Sequence, residues 1–231
     1  MKKFILALGL LLVQLSVYSQ SVKRTEVLLQ TSMGNVRIQL YNETPKHRDN
    51  FLKIVNSKQM DGMLFHRVVK DFMIQTGDPD SRKAKPGQVL GNHQIGKDFP
   101  AEIIYPQFFH KRGALAAARQ PDNENPDKKS SGSQFYIVWG KKFSEHQLNF
   151  YQSVIDTVTN FKVKFTPEIR KVYQEVGGTP FLDGQYTVFG EVTEGLDIID
   201  RIQQMPTDKY ARPLEDIRIL KATVTKDYHQ P

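Results

Sequence analysis

The chain has 231 residues, 39% of them hydrophobic and 25% charged, with 15 Gly, 12 Pro and no Cys. That balance fits one globular domain and excludes a disordered charged tail, a collagen-like repeat, a disulfide-stapled mini-domain and any zinc site or nucleophile built on cysteine. The formal net charge of +7 comes from 32 basic and 25 acidic residues interspersed along the chain, a pattern that serves solubility and points to no nucleic-acid partner.

Met1-Lys2-Lys3 followed by the apolar run from Phe4 to Val13 has the layout of a secretory signal peptide, with cleavage expected after Val17-Tyr18-Ser19. The apolar region spans about 14 residues at most, short of the roughly 20 that cross a bilayer core. Residues 1–19 are therefore expected to be removed, leaving no stable membrane anchor and an exported protein, periplasmic or extracellular. Residues 20–25 form a linker, and 26–227 the folded domain.

The domain opens with strands expected at 26–31 and 35–41 around a Ser32-Met33-Gly34-Asn35 turn, with Val36, Ile38 and Leu40 alternating against polar neighbours. Thr44-Pro45 reads as an N-cap and a first helical position, opening a helix whose Phe51, Ile54 and Val55 share a face. Further short strands are expected at 64–69, 73–76, 115–118, 133–138 and 187–192, separated by Gly, Pro, Asp and Asn clusters. A helix over 196–205 is stopped by Pro206, and a last strand runs over 217–224. Many short antiparallel strands with a helix near each end point to a closed β-barrel capped by helices.

Residues 140–178 break this rhythm. Ser144-Glu145-His146-Gln147 is a capping box, and Leu148, Tyr151, Ile155 and Val158 follow at helical spacing. Thr166-Pro167-Glu168 starts another helix that ends at Gly177-Gly178. The segment reads as an inserted helical hairpin, too small for a core of its own, that leans on the barrel. It ends three residues before Phe181, so it is expected beside any groove there, without being needed for turnover of a small substrate.

The informative cluster is Phe65-His66-Arg67-Val68-Val69-Lys70-Asp71-Phe72-Met73-Ile74-Gln75-Thr76-Gly77-Asp78. A fixed cation, an apolar floor and a polar amide come close together there, although an aromatic and a Met are more often core than site. Other patterns carry less. Gly91-Asn92-His93-Gln94-Ile95-Gly96-Lys97-Asp98 approaches a phosphate-binding loop but ends on Asp where a hydroxyl belongs, and Pro100 intervenes before any helix. The six His residues show no paired metal-ligand spacing, and His66 is expected to be a structural hydrogen-bonder. Ser131-Gly132-Ser133 lacks the nucleophile-elbow pattern.

The cluster resembles the signature of the cyclophilin-type peptidyl-prolyl isomerases. Three further segments agree in order: Gly113-Ala114-Leu115-Ala116-Ala117-Ala118-Arg119, Ser131-Gly132-Ser133-Gln134-Phe135-Tyr136-Ile137, and Phe181-Leu182-Asp183-Gly184-Gln185-Tyr186-Thr187-Val188-Phe189-Gly190. The resemblance implies an eight-stranded antiparallel barrel with two capping helices and a shallow groove for a proline-containing polypeptide. With its leader and hairpin the chain looks like an exported bacterial type.

By this resemblance Arg67 is the catalytic arginine, and Phe72, Met73, Tyr136 and Leu182 form the proline pocket. Gln75 and Gln134 orient the substrate backbone, and Ala118 and Arg119 form an edge that binds through main-chain groups. Phe181 stands where many members carry Trp, and Tyr186 where His is usual, so an indole donor is missing and cyclosporin-type ligands are expected to bind weakly. No metal, nucleotide or flavin is implied, and the protein is expected to act as a monomer. The alternative, from a different class, is a non-catalytic client-binding protein that keeps the groove and uses the hairpin as its main interface.

Overall fold

The computed structural model describes residues 22–228, so the expected signal peptide lies outside the described residues. Within the described residues eight strands form one sheet: β1 (Glu26–Thr31), β2 (Gly34–Leu40), β3 (Arg67–Val69), β4 (Met73–Thr76), β5 (Ala114–Ala117), β6 (Phe135–Val138), β7 (Val188–Glu194) and β8 (Ile219–Lys226). Their order is β3-β4-β6-β5-β7-β2-β1-β8, every neighbouring pair antiparallel. Alternation along each strand sends one set of side chains into the core. Val27, Leu29, Val36, Ile38, Ile74, Leu115 and Ile137 are buried there.

The closed barrel expected from the sequence needs correction. Among the described residues no ladder joins the end strands β3 and β8. The chain before each of them meets at one isolated bridge, Leu64 with Arg218, flanked by Phe65 N–H to Ile217 O at 2.9 Å and Ile219 N–H to Met63 O at 2.8 Å. The strand expected from residue 64 begins only at Arg67, and at Val68 the backbone N–H turns to Ala211 O instead, 2.8 Å away. The sheet is thus a curled half-barrel whose seam is irregular.

Among the described residues four α-helices complete the fold: α1 (Pro45–Asn56), α2 (Glu145–Thr159), α3 (Pro167–Glu175) and α4 (Leu196–Gln203). Helix α1 starts at Pro45 as expected, but Thr44 makes no side-chain cap. Its hydroxyl points back to Tyr41 O, and Glu102, distant in sequence, accepts from the N–H groups of Lys46 and His47 at 3.2 and 3.0 Å. A carboxylate at this end meets both the orphan donors and the positive pole of the helix dipole.

Helices α2 and α3 leave and rejoin the sheet at one point. Gly178 N–H bonds Lys141 O at 3.1 Å, and a Cβ added to Gly140 would lie 1.9 Å from Gly178 O, so the crossing requires glycine. The capping box at Ser144 and Gln147 forms, and Thr166 caps α3 through Ile169 N–H. Leu148, Ile155, Ile169 and Tyr173 are buried with Phe143, Val163 and Phe165, against Tyr105, Phe109 and Tyr151. Val158 is exposed and Thr159 buried in its place. At 3.6 residues per turn, Thr159 falls about 20° from the Leu148 direction and Val158 about 80° away.

Candidate active site

The second face of the sheet builds the site. Cross-strand register pairs Arg67 with Gln75, Gln75 with Tyr136, and Tyr136 with Ala116. Residues paired across strands share a face, so these four side chains form a row across β3, β4, β6 and β5. The neighbouring residues Val68, Ile74, Ile137 and Leu115 pair in the same way and point into the core. Met73, two residues before Gln75, joins the outer row, and Leu182, Tyr186 and Phe72 pack on that cluster from loops.

These residues surround a cavity of about 110 Å3 lined by Arg67, Phe72, Met73, Gln75, Ala118, Arg119, Tyr136, Leu182 and Tyr186. Met73 and Tyr136 are buried, and the opening is flanked by the partly exposed rings of Phe72 and Tyr186. Tyr186 stands edge-on to Tyr136 at 6.0 Å, and the Arg119 guanidinium lies 4.4 Å from the Tyr186 ring centre. Arg119 is held there by Gln185 O at 2.9 Å and by the Asp122 carboxylate at 2.6 Å. Its side chain is therefore a wall. Ala118 spends its N–H on Gln134 O and its C=O on Ser131 N–H, so the expected main-chain edge narrows to Arg119.

Arg67 is held from two sides. Its Nη1 donates to Gln75 Oε1 at 3.2 Å and lies 3.7 Å from Met73 Sδ, with the guanidinium 5.8 Å from the Phe72 ring centre. Burial lowers its pKa from the ordinary value, yet an arginine stays charged in water. No carboxylate among the described residues comes within ion-pair distance of it. Gln134 donates to Gly91 O and His93 O at 2.9 and 2.8 Å, which turns its carbonyl toward Gln75 Nε2, 2.9 Å away. That in turn faces the Gln75 carbonyl to Arg67, so one amide orientation fixes the next.

Gln134 lies outside the apolar cavity and lines a second, polar one of about 250 Å3, walled by the 91–98 loop. The loop that resembled a phosphate site is thus this cavity's rim. Phe181 lines neither cavity. Its ring stands behind Phe72, 5.6 Å away, and meets Tyr151 of α2 at the same distance.

The family model described as "Cyclophilin type peptidyl-prolyl cis-trans isomerase/CLD" matches residues 26–224. The chain belongs to this family and is a cyclophilin-type isomerase. It is 32% identical over 206 residues to "Peptidyl-prolyl cis-trans isomerase-like 1" of Neurospora crassa, covering 88% of this chain and 96% of that one. It is also 32% identical over 201 residues to human "Peptidyl-prolyl cis-trans isomerase-like 3", covering 86% and 94%. The crystal structure of a Cryptosporidium parvum cyclophilin-type isomerase superposes with a TM-score of 0.62 at 23% identity, covering 89% of this chain and 99% of that one. These relatives are eukaryotic and carry nothing about the exported bacterial type expected above.

Behind the pocket this cyclophilin holds a buried polar chain that sequence reasoning missed. His110 Nδ1 lies 2.9 Å from Asp183 Oδ1, and its Nε2 3.0 Å from the Tyr136 hydroxyl. Asp183 also accepts from His110 N–H at 2.9 Å and from the Tyr173 hydroxyl of α3 at 2.7 Å. With the carboxylate as acceptor, Nδ1 carries the proton and Nε2 accepts from Tyr136. Burial pushes the hydroxyl pKa values of Tyr136 and Tyr173 well up, so both remain donors.

Two histidine readings also change. His66 is buried but neither ring nitrogen has a hydrogen-bond partner among the described residues, and burial pushes its pKa down to about 4. His93 comes together with Asp78 and Asp80, one ligand atom from each lying within 4.8 Å of the others. Asp78 spends its two oxygens on Asp80 N–H and Gly91 N–H, and Asp80 pairs with His93 at 2.8 Å.

Proposed function

We propose that this cyclophilin catalyses rotation about X–Pro bonds of unfolded or exported polypeptides by binding the twisted amide through Arg67, without covalent chemistry. Amide resonance opposes that rotation by about 18–20 kcal/mol. As the bond twists, conjugation is lost and the proline nitrogen gains a lone pair that accepts a hydrogen bond unavailable in the planar ground state. A cation beside that nitrogen binds the transition state selectively. The observation that supports this reading most is the half-buried Arg67 guanidinium, with no carboxylate of the described residues in ion-pair distance and braced by Gln75 at the edge of an apolar cavity.

A charge-assisted hydrogen bond contributes about 1.5–3 kcal/mol, or one to two powers of ten at about 1.4 kcal/mol each. The rest of the acceleration must come from the pocket. Phe72, Met73, Tyr136 and Leu182 seat the ring and remove water from the amide, while Gln75 and the Arg119 main chain hold the flanking backbone and Gln134 fixes the Gln75 amide. A related Cryptosporidium cyclophilin has been crystallised in the presence of the dipeptide Ala-Pro, a proline-containing ligand of the class expected to seat here.

Arg67→Ala is expected to lower kcat/KM for a proline tetrapeptide at least tenfold in a protease-coupled assay, with the melting temperature little changed. Near-wild-type turnover by the folded variant would remove Arg67 from the reaction. The leader-like residues 1–19 support export, and mass spectrometry of the secreted chain is expected to find Gln20 at its N-terminus; a chain retaining residues 1–19 would contradict it.

A further inference from the structure

We infer that Phe181, Tyr151 and Phe150 form an aromatic ledge that extends the proline groove onto α2 and takes an aromatic or large aliphatic side chain flanking the proline of a substrate. The inference rests on the groove being the proline-peptide site. Rings follow one another outward from the pocket: Phe72 to Phe181 at 5.6 Å, Phe181 to Tyr151 at 5.6 Å, and Tyr151 to Phe150 at 5.3 Å. These spacings lie in the range where aromatic pairs attract. Phe150, the outermost, is 60% exposed.

A lone exposed Phe needs no explanation. This one ends a row of ring-to-ring contacts that begins at Phe72 on the cavity wall and reaches α2. The ledge is also held rigidly. Tyr151 packs against Phe143 at 5.3 Å from the hairpin core, and α3 is tied to Asp183, two residues after Phe181, by the Tyr173 hydroxyl. A site on fixed elements loses little freedom when it is filled.

The groove is lopsided as a result. On the side of Gln75 and Gln134 the surface is the polar cavity rimmed by Asn92 and His93, and on the side of Phe72 it is aromatic. A peptide crossing the site therefore meets polar groups on one flank and rings on the other. Three ring-to-ring steps of 5.3–5.6 Å correspond to at most about five residues of extended chain at ~3.3 Å each. The favoured side chain is thus expected within about five positions of the proline, on one flank only.

The test scans Phe against Gly at each of five positions on both sides of the proline in an otherwise Ala-rich peptide. Affinity for the full chain is measured by NMR titration and turnover by exchange spectroscopy on the same samples. Phe is expected to tighten binding five- to tenfold on one flank, and the preference is expected to fall below twofold in Phe150→Ser and in Tyr151→Ala. Val158→Ser, also exposed but about two helical turns further along α2, is expected to keep it. Phe150→Ser alters only an exposed side chain, so its result does not depend on Tyr151→Ala folding. No position effect, or a preference that survives in Phe150→Ser, overturns the ledge. Binding with the full preference but no acceleration of exchange overturns the isomerase reading and leaves the ledge standing.

Discussion

Tyr136 and His110 lie 3.0 Å apart, hydroxyl to Nε2, and that bond ties the wall of the apolar cavity to the buried carboxylate of Asp183 and through it to Tyr173 of the hairpin. Tyr136→Phe keeps the ring but leaves Nε2 buried without its donor. Stranding such a group costs about 1–3 kcal/mol. Urea denaturation is expected to show a loss of that size, with kcat/KM changed by less than about tenfold because the apolar wall remains. Unchanged stability would mean that the bond adds nothing to the fold.

That Arg67, Gln75 and Met73 lie together was legible because they sit within one hairpin, where period-two alternation fixes which residues share a face. The hairpin boundaries at Gly140 and Gly178 were legible from the glycines and caps. His110 and Asp183 were not, because 73 residues separate them and nothing local marks either as a partner. The seam beside β3 was missed for a related reason: whether a short apolar run pairs as a strand depends on the strand it meets. Phe181 carried a family position but not its neighbour, since only the packing of α2 brings Tyr151 against it.

Acidification is expected to weaken the fold above the carboxylate range. Burial holds the folded-state pKa of His66 near 4 against an ordinary 6.5, so between those values the unfolded chain binds a proton that the native state refuses. Stability is then present above pH 6.5 and is lost as the pH falls. For His66 alone this amounts to about 2 kcal/mol between pH 7 and pH 5. His47, also lowered by burial, acts in the same direction. The slope of unfolding free energy against pH is expected to flatten in His66→Leu; an unchanged slope would assign the acid sensitivity elsewhere.

Chelation is expected to leave turnover unchanged. The Asp78, Asp80 and His93 cluster lies near the polar cavity, but Asp78 already spends both oxygens on backbone N–H groups, and the proposed reaction draws its positive charge from Arg67. A fall in kcat/KM after EDTA treatment, restored by a divalent cation, would place a metal in the site.

Cyclosporin-type ligands are expected to bind weakly, because Phe181 offers no indole N–H. Phe181→Trp is expected to tighten binding, but only partly, since the ring is flanked by Phe72 and Tyr151 at 5.6 Å each and a larger indole must displace one of them. Adding Tyr151→Ala to that variant makes room and is expected to tighten binding further in a fluorescence titration. Equal affinity in wild type and both variants would show that this position does not touch such ligands.

The sequence treats residues 140–178 as an appendage whose removal spares small-substrate turnover, and the structure changes that expectation. A short Gly/Ser loop in place of α2 and α3 removes Tyr173 from Asp183 and Tyr151 from Phe181, and uncovers Phe109 and Tyr105. Asp183 would keep His110 but meet water on its other oxygen, loosening the group that holds Tyr136. Tetrapeptide turnover is therefore expected to fall together with the rate of proline-limited refolding of a full-length client, and the melting temperature with both. Tyr173→Phe separates the contributions: it breaks the tie to Asp183 while leaving the ledge in place, so it is expected to lower stability with the aromatic preference intact. Full tetrapeptide activity after loop replacement would show that the pocket stands without the hairpin, and the link through Asp183 would then have no role in holding it.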